Sequence, residues 1–310
     1  MIGKETMMNG VLPLYKERGM TSFDCIRRLR QLLNTKKIGH SGTLDPDVSG
    51  VLPICIGNAT KLVPFLMASG KVYAGELTIG FATTTEDLSG ETVEEKLVTS
   101  AISDQAVKDA MAKLTGTITQ TVPMYSAVKV NGKRLYEYAR AHEKVEQPRR
   151  HVTIKSFSML ANHYDANKKQ QVVRFKVECS KGTYIRTLAG DLARQLGYPG
   201  VMSSLTRLKS GGFDLDHTLI LDDVEEAVNN GTIINYVYPI TYVLRDFPQV
   251  KLTDNQYKAV KNGGWLTDDE VHSDDQSRVV LVYHDQAQAI YERHGKHFKP
   301  LKMFLTKTEG

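Results

Sequence analysis

The feature that most constrains this chain is the run from Gly39 to Leu62, GHSGTLDPDVSGVLPICIGNATKL. Its first half is small and polar and leads to an acid, Asp45, which a proline follows directly. Because proline removes a backbone donor and restricts the residue before it, we expect Asp45 on a stiff, tight turn. The stretch from Val51 to Gly57 is an apolar run bounded by glycines, which predicts a buried strand. We therefore expect this buried strand to anchor the turn to the hydrophobic core.

An Asp-Pro pair by itself also fits an ordinary turn or a helix cap. The whole run, however, resembles the signature of the tRNA pseudouridine synthase B family, GH(T/S)GTLDP followed by small residues, GVLP and GxATK. Two later stretches are similar to family motifs as well, KGTYIR at 181–186 and LxRxxxGxF at 205–213. Ordered motifs span residues 10–213, so the resemblance covers most of the chain.

Length, charge and cysteine content agree with a protein that acts on a polyanion inside a reducing compartment. A chain of 310 residues predicts two domains, and a net charge of +5 favours a nucleic-acid partner only modestly. Cys25, Cys55 and Cys179 are odd in number and far apart, which predicts reduced, buried thiols. No window holds about 18 consecutive apolar residues, so a cytoplasmic protein without a membrane partner is expected.

Hydrophobic periodicity predicts alternating strands and amphipathic helices. In the strand at 71–80, Tyr73, Gly75 and Leu77 share a face. The polar stretch 81–90 predicts a loop. Other strands are expected at 10–16, 171–179, 279–283, 287–291 and 301–305, and helices from Thr21-Ser22, Ser103, Ile185 and Thr253.

The family resemblance implies a pseudouridine synthase fold of the α/β (α+β) class, with helices around a mixed, largely antiparallel sheet and a catalytic cleft. It implies a catalytic domain at residues 1–240 and a small β-rich, PUA-like RNA-binding domain at 241–310. An RNA-gripping insertion is expected at about 123–150, where tyrosines are interspersed with basic residues that include Lys129, Arg149 and Arg150. Such a mixture suits tyrosines that stack on unpaired nucleobases and cations that contact phosphates. It equally fits tyrosines that pack against neighbouring residues of the protein.

The resemblance also implies an activity without metal or organic cofactor. A uridine in the T arm of tRNA, at the position conventionally numbered 55, would become pseudouridine after it is flipped out of its stack. Asp45 would be the single catalytic acid, adding to the ribose or to the uracil ring or assisting elimination to a glycal, and the residues do not choose among these routes. No protein partner is evident, and a monomer is expected.

The family motifs carry further site residues over to this chain. Arg186 would keep the Asp45 carboxylate ionised, and Asp87 would hold Arg186 in place. Tyr73 would stack on the flipped base and assist the last proton transfer. The other matched residues are His40, beside the flipped-out backbone, and Tyr184 and Leu205, which line the pocket.

Two other functions stay open at this level. An RNA-binding or RNA-folding protein could use the same charges and aromatics without catalysis. A hydrolase of nucleosides or sugars could also use one aspartate, although it usually needs a second carboxylate and only Asp47 is near. The chain departs from the family pattern at Glu17, Ser41, Thr84 and Val122. These departures bear on the rigidity of loops and leave the proposed catalytic residues Asp45, Tyr73 and Arg186 unchanged.

Overall fold

The computed structural model describes residues 8–272 and 277–305. Its strands, numbered in chain order, are β1 (Gly10–Lys16), β2 (Ile38–His40), β3 (Ser49–Ile56), β4 (Lys71–Ile79), β5 (Phe81–Thr83), β6 (Thr92–Glu95), β7 (Gly116–Thr121), β8 (Lys129–Val130), β9 (Lys133–Arg134), β10 (Arg149–Asp165), β11 (Gln170–Cys179), β12 (Gly200–Ser210), β13 (Phe213–Asp214), β14 (Gln249–Lys251), β15 (Leu266–Thr267), β16 (Arg278–Tyr283), β17 (Gln286–His294) and β18 (His297–Met303).

The α-helices alternate with these strands along the chain. They are α1 (Ser22–Leu32), α2 (Val63–Ala68), α3 (Asp104–Lys113), α4 (Leu135–Arg140), α5 (Ile185–Gln195), α6 (Leu221–Asn229), α7 (Ile240–Val243), α8 (Asp254–Val260) and α9 (Asp268–Val271). Short 3-10 helices lie at Gly57–Leu62, Leu215–His217 and Ile233–Tyr236. Among the described residues, no helix is long and apolar enough to cross a membrane.

The described chain forms two compact units. The first contains the residues up to Asp45, Val51–Met67 and the residues from Gly211 onward, and the second contains Pro46–Gly50 and Ala68–Ser210. The expected domain boundary at 240/241 stays a prediction, and its outer limits, residues 1 and 310, lie outside the described residues.

The second unit is built on an antiparallel sheet in the order β12-β4-β11-β10-β7. Ser49 and Gly50, at the start of β3, pair with β12 in parallel. The sheet is therefore mixed and largely antiparallel, as predicted. Along β11 the alternation places Val173, Phe175 and Val177 in the core, because one face of the strand is covered.

Strand β4 lies between β12 and β11 and carries Tyr73. The register places Tyr73 beside Arg207 of β12 and Val177 of β11. Two positions further on, a Cβ atom added to Gly75 would lie 2.5 Å from Cζ of Phe175 and 2.9 Å from Cδ1 of Leu205. A side chain at Gly75 would therefore displace Phe175 and Leu205, because these side chains fill the space above it.

The predicted loop at 81–90 is wrong at its start. Phe81–Thr83 forms strand β5 and pairs with Thr92–Glu95 of β6, so only 84–90 make the turn. The pairing was not evident because β6 is fully exposed and therefore lacks an apolar face that marks a strand. The last predicted strand also lies earlier, at His297–Met303 instead of 301–305.

The first unit carries β1 and β2 beside β3, and the carboxy-terminal sheet in the order β14-β16-β17-β18-β15. Successive side chains of β16 point to opposite faces of this sheet, and both faces are buried. Val280 packs in a core that contains Val11 and Val51, whereas Leu281 packs in a second core with Tyr291. The predicted β-rich carboxy-terminal module is present, and one of its faces is covered by the amino-terminal strands.

Candidate active site

Asp45 lies on a loop that the first turn of α1 holds in place. The Ser22 hydroxyl accepts a hydrogen bond from the Leu44 amide at 2.9 Å and donates to the Leu44 carbonyl at 3.2 Å. Thr21 and Asp24 form a capping box at the start of the same helix. Both backbone polar groups of Leu44, the residue before Asp45, are thus held by Ser22. Asp45 itself is half-buried.

His40 ends β2 and faces the start of the same loop. Its Nδ1 atom accepts from the Gly42 amide at 3.3 Å, which requires the neutral ring to carry its proton on Nε2. The Ser41 amide donates to the Pro53 carbonyl at 3.1 Å. Among the described residues the fully buried Ser41 hydroxyl finds no hydrogen-bond partner. The backbone of the loop is therefore held by β3, while the serine hydroxyl contributes little to that hold.

Arg186 lies in the first turn of α5, and only 10% of its side chain is exposed. Nη1 donates to the Thr85 carbonyl at 2.9 Å and Nη2 donates to the Tyr125 carbonyl at 3.0 Å. Nη1 also lies 3.7 Å from Oδ2 of Asp87. Because the guanidinium is planar, two carbonyl acceptors at its two ends determine both its plane and its direction.

Asp87 is held by its own turn. Its Oδ1 atom accepts from the Thr85 hydroxyl at 2.6 Å and from both the amide and the hydroxyl of Ser89, at 3.0 and 2.6 Å. Its Oδ2 atom faces Arg186. A carboxylate with these partners is suited to orient Arg186, which is the role that the sequence predicts.

Tyr184 is the N-cap residue of α5 and is bracketed by Gln120 of β7. The Tyr184 amide donates to Oε1 of Gln120 at 3.0 Å, and Nε2 of Gln120 donates to the Tyr184 carbonyl at 3.1 Å. Gln120 is buried, so this pair of hydrogen bonds is shielded from water. The Arg150 guanidinium lies 5.3 Å from the centroid of the Tyr184 ring, within cation–π range. The start of α5 is thus tied to the edge of the sheet.

Tyr73 and Leu205 are buried on β4 and β12, in the same part of the sheet as two buried cations. Arg207 is 1% exposed and Lys71 is 9% exposed. Burial, together with the charge of Arg207, lowers the pKa of the Lys71 ammonium to about 8. The strand pairing therefore brings a buried arginine beside Tyr73.

The predicted RNA-gripping cations lie on two separate strands, β8 and β10. Lys129 is exposed on the short β8–β9 ribbon, where it pairs with Arg134, and Arg149 is exposed at the start of β10. Of the three cations that the sequence singled out, Arg150 is the one placed against a predicted pocket residue, Tyr184.

The tyrosines of this insertion pack with its own cations. Arg134 and Arg140 lie 5.8 and 5.4 Å from the centroid of the Tyr136 ring. Lys133 lies 4.7 Å from the centroid of the Tyr138 ring. Tyr136 and Tyr138 therefore take part in local packing, and the interpretation of the insertion as an RNA-binding surface stays a prediction.

Neither a metal centre nor a reactive thiol stands out. Within 8–272 and 277–305, no three His, Cys, Asp or Glu residues are grouped so that they could hold a metal ion. Cys25, Cys55 and Cys179 are buried and unbridged, as predicted. Burial raises the pKa of Cys55 to about 12 and that of Cys179 to about 11, which makes both poor nucleophiles.

Comparison with known proteins decides the family. The model of the TruB family pseudouridylate synthase amino-terminal domain matches residues 30–185, which include Asp45, Tyr73 and Asp87. The tRNA pseudouridine synthase B of Limosilactobacillus reuteri (strain DSM 20016) is 61% identical over 299 residues, which cover 96% of this chain and 99% of that protein. This chain belongs to the TruB family.

Other TruB-family proteins match over nearly their whole length. The tRNA pseudouridine synthase B of Lactiplantibacillus plantarum (strain ATCC BAA-793 / NCIMB 8826 / WCFS1) is 53% identical over 96% of this chain and 99% of its own. The tRNA pseudouridine synthase B of Bacillus anthracis is 47% identical over 97% of this chain and 99% of its own. The chain is a pseudouridine synthase and hence an isomerase, and the hydrolase and non-catalytic interpretations are set aside.

Solved structures confirm the predicted fold. A chain in the crystal structure of a Cbf5-Nop10-Gar1 complex has a TM-score of 0.73 and 24% identity, covering 96% of this chain and 85% of that one. A chain of an H/ACA RNP bound to a substrate RNA containing 2'-deoxyuridine has a TM-score of 0.73 and 22% identity, covering 96% and 86%. At these identities the likeness establishes the fold alone.

Sequence reasoning missed several supporting residues of this TruB-family chain. Gln120 opens the stretch that is similar to the family's QxPPxYSAxK, and Arg207 lies in LxRxxxGxF, so both motifs carried a signal. The Thr85 and Tyr125 carbonyls that hold Arg186 carried none, because a backbone acceptor has no side-chain signature.

Proposed function

We propose that the chain converts uridine to pseudouridine in tRNA, at the T-arm position conventionally numbered 55, with Asp45 as the catalytic carboxylate. The observation that carries the proposal is the 61% identity, over 96% of the chain, to a protein named tRNA pseudouridine synthase B. The choice of position and of Asp45 is supported by the match of residues 39–46 to the family signature. The protein is proposed to act as a cytoplasmic monomer without metal or cofactor.

The reaction exchanges one bond for another within the same nucleotide. The bond from the ribose anomeric carbon to N1 of uracil breaks and a bond to C5 of uracil forms, while C5 loses its hydrogen to solvent as a proton and N1 takes up a proton. An ionised carboxylate suits this chemistry because it stabilises cationic character on the sugar or adds covalently. The proposed role of Asp45 is supported by its ordered loop, since Ser22 holds both the amide and the carbonyl of the preceding Leu44.

The other proposed roles follow from side-chain chemistry. A carboxylate that is shielded from water needs positive charge to remain ionised, and Arg186 is proposed to supply it. The contacts of Asp87 support its proposed part as the residue that orients Arg186. Tyr73 is proposed to stack on the flipped base and to assist the last proton transfer. The remaining proposed contacts to RNA are His40, Tyr184, Leu205, Lys129, Arg149 and Arg150.

Tritium release tests the proposal directly. Unmodified tRNA that carries tritium at C5 of uracil is incubated with the wild-type protein, with Asp45→Asn and with Asp47→Asn. We expect release from the wild type and from Asp47→Asn, whose carboxylate is exposed two residues away, and no release from Asp45→Asn although it still binds tRNA. A transcript with cytidine at position 55 should release none.

Each part of the proposal can fail separately. Substantial release by Asp45→Asn would contradict the role of that residue. Release that persists from the transcript altered at position 55 would contradict the proposed target. If the wild-type protein binds tRNA but releases no tritium, the proposed reaction is contradicted.

A further inference from the structure

Glu86 is a half-buried acid to which the proposed chemistry gives no part. Its backbone lies in the left-handed region at φ 64°, which a residue with a side chain adopts where its surroundings hold it. Oε2 of Glu86 accepts a hydrogen bond from the Thr187 hydroxyl at 2.7 Å. Its carbonyl accepts from the Met202 amide at 3.1 Å. One residue thus joins the turn after β5 to both α5 and β12.

The turn and the helix are joined by three successive contacts. Arg186 donates to the Thr85 carbonyl at 2.9 Å and lies 3.7 Å from the Asp87 carboxylate. The contact in the middle joins Glu86 to Thr187, the residue that follows Arg186. Two of the three contacts run through the Arg186 head group, whereas the Glu86 contact holds the turn to the helix independently of it. That contact holds the turn that carries the Thr85 carbonyl and the Asp87 carboxylate, the two groups of this turn that contact Arg186.

Charged groups surround Glu86 on the helix side. Burial raises the pKa of Glu86, while the hydrogen bond from Thr187 and the charges of Arg186 and Arg194 act to lower it. Asp191, also on α5, acts in the raising direction. From β6, Glu94 lines the same pocket as Glu86. The hydrogen bond between Thr187 and Glu86 is thus partly shielded from water, which strengthens it relative to a fully exposed one.

We propose that Glu86 is a positioning residue for Arg186. Through its hydrogen bond with Thr187 it sets the turn at 83–89 against the first turn of α5, and it thereby directs the guanidinium that Thr85 and Asp87 hold. The inference rests on the proposed function, in which Arg186 supports catalysis. Glu86 acts through Arg186 and is not assigned a contact with substrate.

Single-turnover kinetics separate positioning from binding. We compare Glu86→Ala, Thr187→Val and Thr187→Ser, measuring the tritium-release rate at saturating tRNA and, separately, the Kd for tRNA. We expect Glu86→Ala and Thr187→Val to lower the rate about 10-fold or more with Kd changed less than about 2-fold, because the lost interaction acts in the transition state. Thr187→Ser retains the hydroxyl and should remain within about 2-fold of the wild-type rate.

Two further variants make the test specific. Because both substitutions remove the same contact, the double variant Glu86→Ala/Thr187→Val should be no slower than the slower single variant. Glu94→Ala removes a carboxylate from the same pocket without touching α5 and should keep the wild-type rate. Circular dichroism melting gives the folded fraction, to which each rate is normalised.

The outcomes distinguish the inference from the function on which it rests. An active wild type with an unchanged rate in Glu86→Ala and Thr187→Val overturns the inference alone, as does a loss confined to Kd or an equal loss in Glu94→Ala. If Glu86→Ala does not fold, the Thr187→Val and Thr187→Ser rates decide. An inactive wild type removes the proposed function instead.

Discussion

At the scale of single residues, the described core holds several cations. Lys16 is fully buried, and its ammonium donates to the carbonyls of Glu17 and Met20 at 2.9 and 2.7 Å. The buried Lys71 ammonium donates to the Ser69 carbonyl at 2.8 Å. Taking such charges out of water is costly, so they persist where acceptors surround them.

Lys71 should make stability depend on pH in the alkaline range. Burial lowers its pKa from 10.5 to about 8, so between these values the unfolded chain holds a proton that the folded chain has lost. Stability must then rise with pH through that window. We expect the unfolding free energy of the wild type, relative to Lys71→Met, to gain about 1 to 2 kcal/mol between pH 7.5 and 10 after allowance for screening by solvent.

Urea denaturation at several pH values measures this effect. Lys176→Met on β11 is the matched control, because that lysine is exposed, and its difference from the wild type should not vary with pH. A Lys71→Met difference that is equally independent of pH would contradict the prediction.

The sequence predicted the motif residues of the site better than the residues that hold them in place. Arg186 and Asp87 were paired from the motifs, and they lie 3.7 Å apart, although their roles stay predictions. Glu86 carried no such signal, because an acid in a polar turn is usually a solvated one. Its burial depends on Met202 and Thr187, which approach it only in the fold.

At the scale of elements, periodicity predicted the strands and helices that have one covered face. β4, β11 and α5 were predicted within a residue or two of their observed ends. β10 was missed, since all of its residues except Val152 and Ile154 are exposed or half-buried and it therefore lacks a continuous apolar face. β12 was missed because serine, threonine and lysine interrupt its apolar residues.

The pairing of β3 with β12 depends on Gly50. A Cβ atom there would lie 2.2 Å from the Arg207 carbonyl oxygen, and the backbone has φ +113°. Both the contact and the conformation oppose a side chain, and the opposing atoms are backbone that cannot rotate away. We expect Gly50→Ala to lower the unfolding free energy by about 2 kcal/mol or more, measured by urea denaturation.

Gly39→Ala on β2 is the control for that substitution. A Cβ atom at Gly39 would meet Cγ2 of Val63 at 3.7 Å, which is an ordinary van der Waals contact. This variant should differ from the wild type by less than about 1 kcal/mol. An equally mild effect of Gly50→Ala would mean that β3 and β12 can separate without cost.

At the scale of the whole molecule, a net charge of +5 is modest for a protein proposed to bind tRNA. Affinity must therefore depend on where the cations lie more than on their number. Arg150 already contacts the Tyr184 ring, whereas Lys129 and Arg149 are exposed.

Salt dependence of tRNA binding tests these three cations. We expect Lys129→Gln, Arg149→Gln and Arg150→Gln each to weaken binding and to reduce the slope of log K against log salt by about 1. Lys108→Gln, an exposed lysine on α3, should leave the slope unchanged. Filter binding between about 50 and 200 mM salt measures the slopes, and unchanged slopes would remove these residues from the interface.

The sequence by itself determined the family, the stiff Asp-Pro turn and the apolar faces of the main strands and helices. Each of these is written in neighbouring residues, where spacing and backbone restrictions act locally. Only the tertiary structure decided what supports Arg186 and Tyr184. The Gln120–Tyr184 and Glu86–Thr187 hydrogen bonds join residues 64 and 101 positions apart. Local periodicity carries no information about such pairs, because they meet only when sheet register and helix packing bring them together.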